Sequence, residues 1–173
     1  MKKWLIAFGI AFASLVLFLL ISIPIVPKLQ ENSRQQMAEK YPINTDTLYM
    51  EINKVRAANS LPQFERNPLL DKSAALKCED MQKDNYYDHY HPKTKKQGLE
   101  FIDERTTPYE YASENLNAGV FYIPSDVITS WMGSPTHAAS ILDPQFTQIG
   151  FAICEVASYP GQTVVVQHKI NPL

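Results

Sequence analysis

Four histidines are the residues in this chain best suited to metal or proton chemistry: His89, His91, His137 and His168. Imidazole is the side chain that titrates near neutrality and the commonest metal ligand. Their local settings differ. His137 lies in W-M-G-S-P-T-H, residues 131–137. Ser134 as N-cap and Pro135 at the first helical position are a sound helix start. His137 then falls in the first turn, where the helix's positive end favours the neutral ring that metal binding needs. Ser134 is not read as a nucleophile: there is no G-x-S-x-G elbow, and its oxygen is expected to cap backbone N–H groups. His89 follows Tyr86-Tyr87-Asp88 at the exit of a helix, where aromatic packing would hold its ring. His91 precedes Pro92 in a lysine-rich loop and reads as solvated. His168 sits in V-V-V-Q-H-K-I and reads as a strand residue with a packing role. Glu114, in A-S-E-N-L, must be paired, metal-bound or protonated if it is buried.

The elements that would position these groups follow from periodicity. Leu48, Ile52 and Val55 form one apolar stripe, which predicts a helix over 45–59 capped by Thr45 or Asp46. Asn67 and Pro68 predict the start of a second helix, with Leu70, Ala74, Cys78 and Met81 facing inward. Residues 85–97 read as a loop, and 98–106 as a short helix. Residues 109–112 read as a strand leading into Ser113-Glu114-Asn115. Ser125 and Asp126 suit the cap of a helix through Trp131, and a further helix should run from Pro135 to Leu142, stopped by Asp143-Pro144. The segments 148–155 and 163–170, joined by Tyr159-Pro160-Gly161-Gln162, predict an antiparallel hairpin. Helices first and strands last indicate the α+β class.

Ahead of that domain, no charged residue occurs from Trp4 to Val26, after Lys2 and Lys3. As a helix this run would be roughly 35 Å long, enough for a bilayer core of ~30 Å. The flanking lysines place the short N-terminus in the cytoplasm and the rest outside. A cleaved signal peptide is the alternative, but its apolar core is usually about 7–15 residues and ends at a small-residue site. The reading is therefore an uncleaved signal anchor over 1–27, a polar juxtamembrane stalk over 28–44 and one domain over 45–173, on a single-pass cell-membrane protein. The net charge is −2, and the lysines and arginines form no large basic cluster, so nucleic acid is excluded as a partner. The two cysteines, Cys78 and Cys154, are in the external domain. An oxidising location permits a disulfide, and two buried thiols are the alternative.

Several stretches together resemble the CAP superfamily, the SCP-like extracellular proteins, in its bacterial branch. They are I-N-K-V-R-A-A-N-S-L-P-Q-F at 52–64, L-L-D-K-S-A-A-L-K-C-E-D-M at 69–81 and N-Y-Y-D-H at 85–89. S-E-N-L at 113–116, W-M-G-S-P-T-H at 131–137 and F-T-Q-I-G-F-A at 146–152 follow in order. The resemblance implies an α-β-α sandwich with a small antiparallel sheet. It also implies a binding cleft of His89, Glu114 and His137, in which His89 and His137 hold zinc or another divalent metal. Ser113 departs from the family's G-E-N motif, and Gln145 and Ser134 stand where eukaryotic members carry a further histidine and glutamate. The family does not imply one reaction. The leading expectation is a tethered module binding a small ligand, a lipid or a cell-envelope component. The alternative is a metal-dependent envelope hydrolase acting on peptides or peptidoglycan.

Overall fold

Asn44 starts the first helix of the domain. Its Oδ1 accepts the Thr47 N–H at 2.9 Å, and Thr47 Oγ1 accepts the Asn44 N–H at 3.0 Å. This reciprocal pair satisfies two otherwise orphaned donors. The cap is thus one residue before the expected Thr45 or Asp46, because amide and hydroxyl together satisfy both ends of the box. The computed structural model describes residues 28 and 30–173; the expected anchor over 1–27 lies outside the described residues. Residues 30–40 are helical and almost wholly exposed, and they belong to a unit separate from Tyr41–Leu173. Among the described residues no helix is long and apolar enough to cross a membrane.

The second unit comprises α1 (Thr45–Ala58), β1 (Glu65–Arg66), α2 (Pro68–Asp84), a 3₁₀ turn (Gly98–Phe101) and β2 (Tyr109–Gly119). α3 (Pro124–Met132), α4 (Pro135–Leu142), β3 (Gln148–Cys154) and β4 (Thr163–Pro172) complete it. The sheet order is β1-β3-β4-β2. β3 and β4 form the expected antiparallel hairpin, and β2 pairs antiparallel with β4 from Tyr111↔Asn171 to Gly119↔Thr163. One pair is parallel, β1 with β3, so the sheet is not wholly antiparallel as expected. Two residues of β1 were too short a strand to show a period.

Both sheet faces are covered, which is why Val164, Val165 and Val166 are all buried. Val164 and Val166 meet Ala74, Cys78 and Met81 of α2. Val165 meets Leu48 and Ile52 of α1, Val127, Ile128 and Trp131 of α3, and Ile141 of α4. Helices on both sides of one sheet make an α-β-α sandwich. Gly150 is required by the close approach of α2: a Cβ there would lie 2.2 Å from the Asp71 nitrogen. Cys78 and Cys154 are disulfide-bonded, joining α2 to β3 with a Cα–Cα distance of 6.0 Å.

Arg56, at the end of α1, is completely buried. Its Nε donates to the Pro62 carbonyl at 2.7 Å, and Nη1 donates to those of Ile141 and Asp143 at 2.9 and 2.8 Å. Nη2 donates to Phe146 O at 3.2 Å, and the guanidinium lies 4.0 Å from the Phe64 ring centre. One side chain thereby closes the loops on both sides of the α1/α4 layer. Arg56→Ala strands four carbonyls in an apolar layer and is expected to destabilise the domain by about 3–5 kcal/mol. A urea melt of both proteins measures it; a loss below about 1 kcal/mol would show that the loops hold without it.

Candidate functional site

Glu114 organises the site. It lies on β2 directly opposite His168 of β4. One carboxylate oxygen, Oε2, is 3.0 Å from His168 Nε2, and the other, Oε1, is 2.7 Å from His89 Nδ1. His168 Nδ1 is in turn 2.7 Å from the Ser73 hydroxyl on α2. Burial alone would raise Glu114, but the hydrogen bonds from His168 and then His89 outweigh it and hold the carboxyl below its usual range. An ionised Glu114 takes N–H donors from both rings, so His89 carries its proton on Nδ1 and keeps Nε2 as a lone-pair donor. Its side chain is 45 % exposed while that of Glu114 is 4 % exposed, so the acid is buried behind the imidazole that faces solvent.

This corrects two readings of the sequence. His168 is not a packing residue: it is fully buried, yet its ring joins Ser73 to Glu114. Its period on β4 turns it toward α2 with Val164 and Val166, but only the β2/β4 register shows that Glu114 is opposite. His91 is not solvated either. It is buried, with Nε2 3.1 Å from Asp84 Oδ2 and Nδ1 accepting the Lys93 and Thr94 N–H groups. Pro92 and the turn that follows fold the loop back over the ring. Asp80, Asp84 and His91 bring ligand atoms within 4.8 Å of one another, a cluster the sequence reading missed. With Nδ1 accepting from the backbone, the neutral ring bears its proton on Nε2 and donates it to Asp84, so the cluster as built is a loop anchor.

Two further residues hold His89 and Glu114. Lys77 is fully buried on α2, and its Nζ donates to Tyr86 OH at 3.0 Å and to the Asp88 and His89 carbonyls at 2.7 and 3.4 Å. It clamps the backbone that carries His89. Gly98 N–H donates to His89 O at 2.8 Å, and a Cβ on Gly98 would lie 2.0 Å from Glu114 Oε2. The carboxylate occupies the space that the glycine leaves. His89, Glu114, Tyr90, Gln97, Leu99, Ala112 and Ser113 line a pocket of about 320 Å³.

His137 does not line that pocket, but it is electrostatically coupled to His89. Burial, then His89 and Lys169, lower its pKa and favour the neutral ring. The helix start is as expected, with Ser134 as N-cap and Pro135 first; the Ser134 oxygen, however, contacts Thr136 Oγ1 at 3.3 Å and caps no backbone N–H. Behind α4, Ser140 Oγ donates to Asn115 Oδ1 at 3.0 Å. Lys169 Nζ donates to Gln167 Oε1 at 2.7 Å and bonds no carboxylate among the described residues. Burial pushes Lys169 down to about 7, opposed by Glu114.

The fold and this site define a class: an α-β-α sandwich with a carboxylate-backed histidine cleft beside the edge strand of its sheet. The cysteine-rich secretory protein (CAP) family matches residues 49–168, and the chain belongs to that family. It is 34% identical over 106 residues to the Bacillus subtilis protein YkwD, covering 61% of this chain and 40% of that one. The chain thus spans well under half of that relative's length. Among solved structures it is similar to an outer surface protein of Borrelia burgdorferi, with a TM-score of 0.63 and 18% identity, covering 73% of this chain and 90% of that one. It is also similar to an extracellular SCP-domain protein of Bacillus anthracis, with a TM-score of 0.62 and 20% identity, covering 73% and 39%. At these identities the structural likeness speaks for the fold.

Two outcomes test the site's construction. Gly98→Ala is expected to displace the Glu114 carboxylate and destabilise the domain by about 1–3 kcal/mol, read by thermal melting. Lys169 is neutral in the folded chain and charged in the unfolded chain between about 7 and its ordinary 10.5, so unfolding takes up a proton there. Wild-type stability therefore rises with pH across that window. Lys169→Met is expected to flatten that rise and to raise Tm at pH 7.

Proposed function

We propose that this chain is an extracytoplasmic CAP-domain protein, held to the cell membrane by its N-terminal segment, that binds a ligand in the cleft beside His89. The uncharged run from Trp4 to Val26 after two lysines supports the anchor. The Cys78–Cys154 bridge suits an oxidising compartment. The Bacillus anthracis relative is described as extracellular and the Borrelia relative as an outer surface protein.

The observation that carries the binding reading is the buried Glu114 behind a half-exposed His89. A carboxylate that accepts the Nδ1 proton fixes the ring and leaves Nε2 with its lone pair toward the cleft. That nitrogen and the neutral His137 ring are the donor type that zinc or another divalent metal takes. Glu114 does not serve as a ligand in this arrangement, since both its oxygens are engaged by imidazoles. A bound metal would supply Lewis-acid polarisation and positive charge. The protein's own part is to orient His89 through Glu114, to keep Glu114 ionised through His168 and Ser73, and to hold the loop through Lys77.

A second reading, a peptidase or peptidoglycan hydrolase, is favoured by the same pair. A carboxylate-oriented imidazole opening on a pocket is a general base in waiting. Ser73, though linked to His168 and Glu114 like a triad serine, is buried and offers no attack path.

Zinc titration by calorimetry tests the metal, and a turnover assay separates the two readings. Near-stoichiometric binding is expected, weakened at least about tenfold in His89→Ala and in His137→Ala. Unchanged affinity in both variants would remove the metal from this cleft. Turnover of cell-wall or peptide substrates that vanishes in Glu114→Gln would instead establish the hydrolase.

A further inference from the structure

β2 is one of the two edge strands of the sheet. In an antiparallel pair, alternate residues bond the neighbouring strand and the others turn their N–H and C=O to the far side. Leu116 identifies which set faces out. Its carbonyl accepts the Trp131 Nε1–H at 3.1 Å, so it points away from β4. The register is unbroken from Tyr111 to Gly119, so Glu114 and Ala112 share the outward phase of Leu116. Ala112 and Glu114 make no backbone–backbone hydrogen bond outside the ladder among the described residues, while the Asn115 amide reaches the Glu114 carbonyl at 3.2 Å. These same residues line the pocket.

Of the devices that keep an edge unpaired, the stretch lacks proline and lysine, and its one charge, Glu114, is turned inward and taken up by His89 and His168. β2 contains no proline and no lysine or arginine, and its register shift lies at the far end, between Tyr109 and Tyr111. The two histidines within electrostatic reach of one another near it come from opposite layers. His89 follows α2, which covers the face with Glu114 and His168. His137 is on α4, whose Ser140 bonds Asn115 on the other face. Tyr90 beside the strand and Tyr111 on it stand 51% and 47% exposed. The start of this edge is acidic, with Glu110 on β2 and Glu104 hydrogen-bonded to the Tyr109 hydroxyl, and Lys96, held over the Phe101 ring, follows the loop on the pocket side.

We propose that the outer edge of β2 at Ala112–Glu114 is a docking strand for an extended peptide of neutral to basic character, which adds to the sheet along the floor of the cleft between His89 and His137. Main-chain bonds to Ala112 and Glu114 supply affinity. The pocket takes alternate side chains, and the tyrosines flank them. The absence of cations on β2 and the nearby glutamates select against acidic partners. The proposal rests on the ligand-binding reading of the cleft and names the chemical class of that ligand.

The test uses the full chain in nanodiscs and a fluorescein-labelled, end-capped octapeptide of alternating lysine and threonine. Its counterpart carries N-methyl groups on two adjacent central residues, which blocks both hydrogen-bonding edges at equal charge. Fluorescence anisotropy is expected to show the first peptide binding and the second at least about tenfold weaker. Ala112→Pro removes only an outward N–H, a place where edge strands accept proline, and is expected to weaken binding about tenfold as well. An unchanged elution volume and an intact Cys78–Cys154 bridge show that this variant folds, and the methylated peptide decides the matter if it does not. Equal binding of both peptides, or no binding up to about 1 mM, overturns the proposal. So does a wild-type dimer that Ala112→Pro dissociates, since a second copy would then be the occupant. Zinc titration of the same samples keeps the two readings apart: zinc bound at His89 and His137 without peptide sinks the docking strand and leaves the metal cleft standing.

Discussion

The Glu114 carboxylate, shared between two imidazoles, is the contact on which the rest of the site depends. A buried carboxylate is costly unless its lone pairs are taken. Here His168 takes one oxygen and His89 the other. His168 comes from the adjacent strand and His89 from the loop after α2. The contact therefore fixes a strand register, a loop conformation and a ring tautomer at once. Ser73 behind His168, Lys77 beneath the His89 loop and the missing side chain of Gly98 all serve that one arrangement.

The domain's three fully buried basic side chains are treated in a different way from this acid. Arg56, Lys77 and Lys169 donate to carbonyl, phenol or amide oxygens, and none bonds a carboxylate directly. Burial lowers the pKa of each. Arg56 and Lys77 lock loops, because a cation that gathers several carbonyls fixes backbone that has no ladder of its own. Lys169 is less well served. Its neighbour Gln167 leaves Nε2 without a partner among the described residues, and the amine is held near neutrality. This polar layer lies beneath α4, the helix that carries His137, and contributes to keeping that ring uncharged.

Much of the scaffold was legible because it follows from local physics. Asn67-Pro68 started α2, Ser134-Pro135 started α4, and the turn at 159–162 joined β3 to β4. Period alone placed Leu70, Ala74, Cys78 and Met81 on a buried face. The errors lay where tertiary contacts outweigh local character. A histidine in V-V-V-Q-H-K-I looks like strand filler until the opposite residue is known. A histidine in a lysine-rich loop looks solvated until the loop folds back on Asp84. Serine at an N-cap is expected to bond backbone, yet Ser134 turns to Thr136.

The sequence by itself determined the α-helices, the terminal hairpin, His89, Glu114 and His137 as candidates, and the family, since these depend on spacing, capping and side-chain type. Only the tertiary structure decided their roles. Which residue lies opposite Glu114 is a matter of strand register, and register depends on how the whole hydrophobic face seats against α2. The same seating brought Cys78 to 6.0 Å from Cys154 across a sequence separation of 76 residues and exposed one side of β2 beside His89. A linear pattern specifies which faces are buried; which side chains meet across them is settled when the layers close.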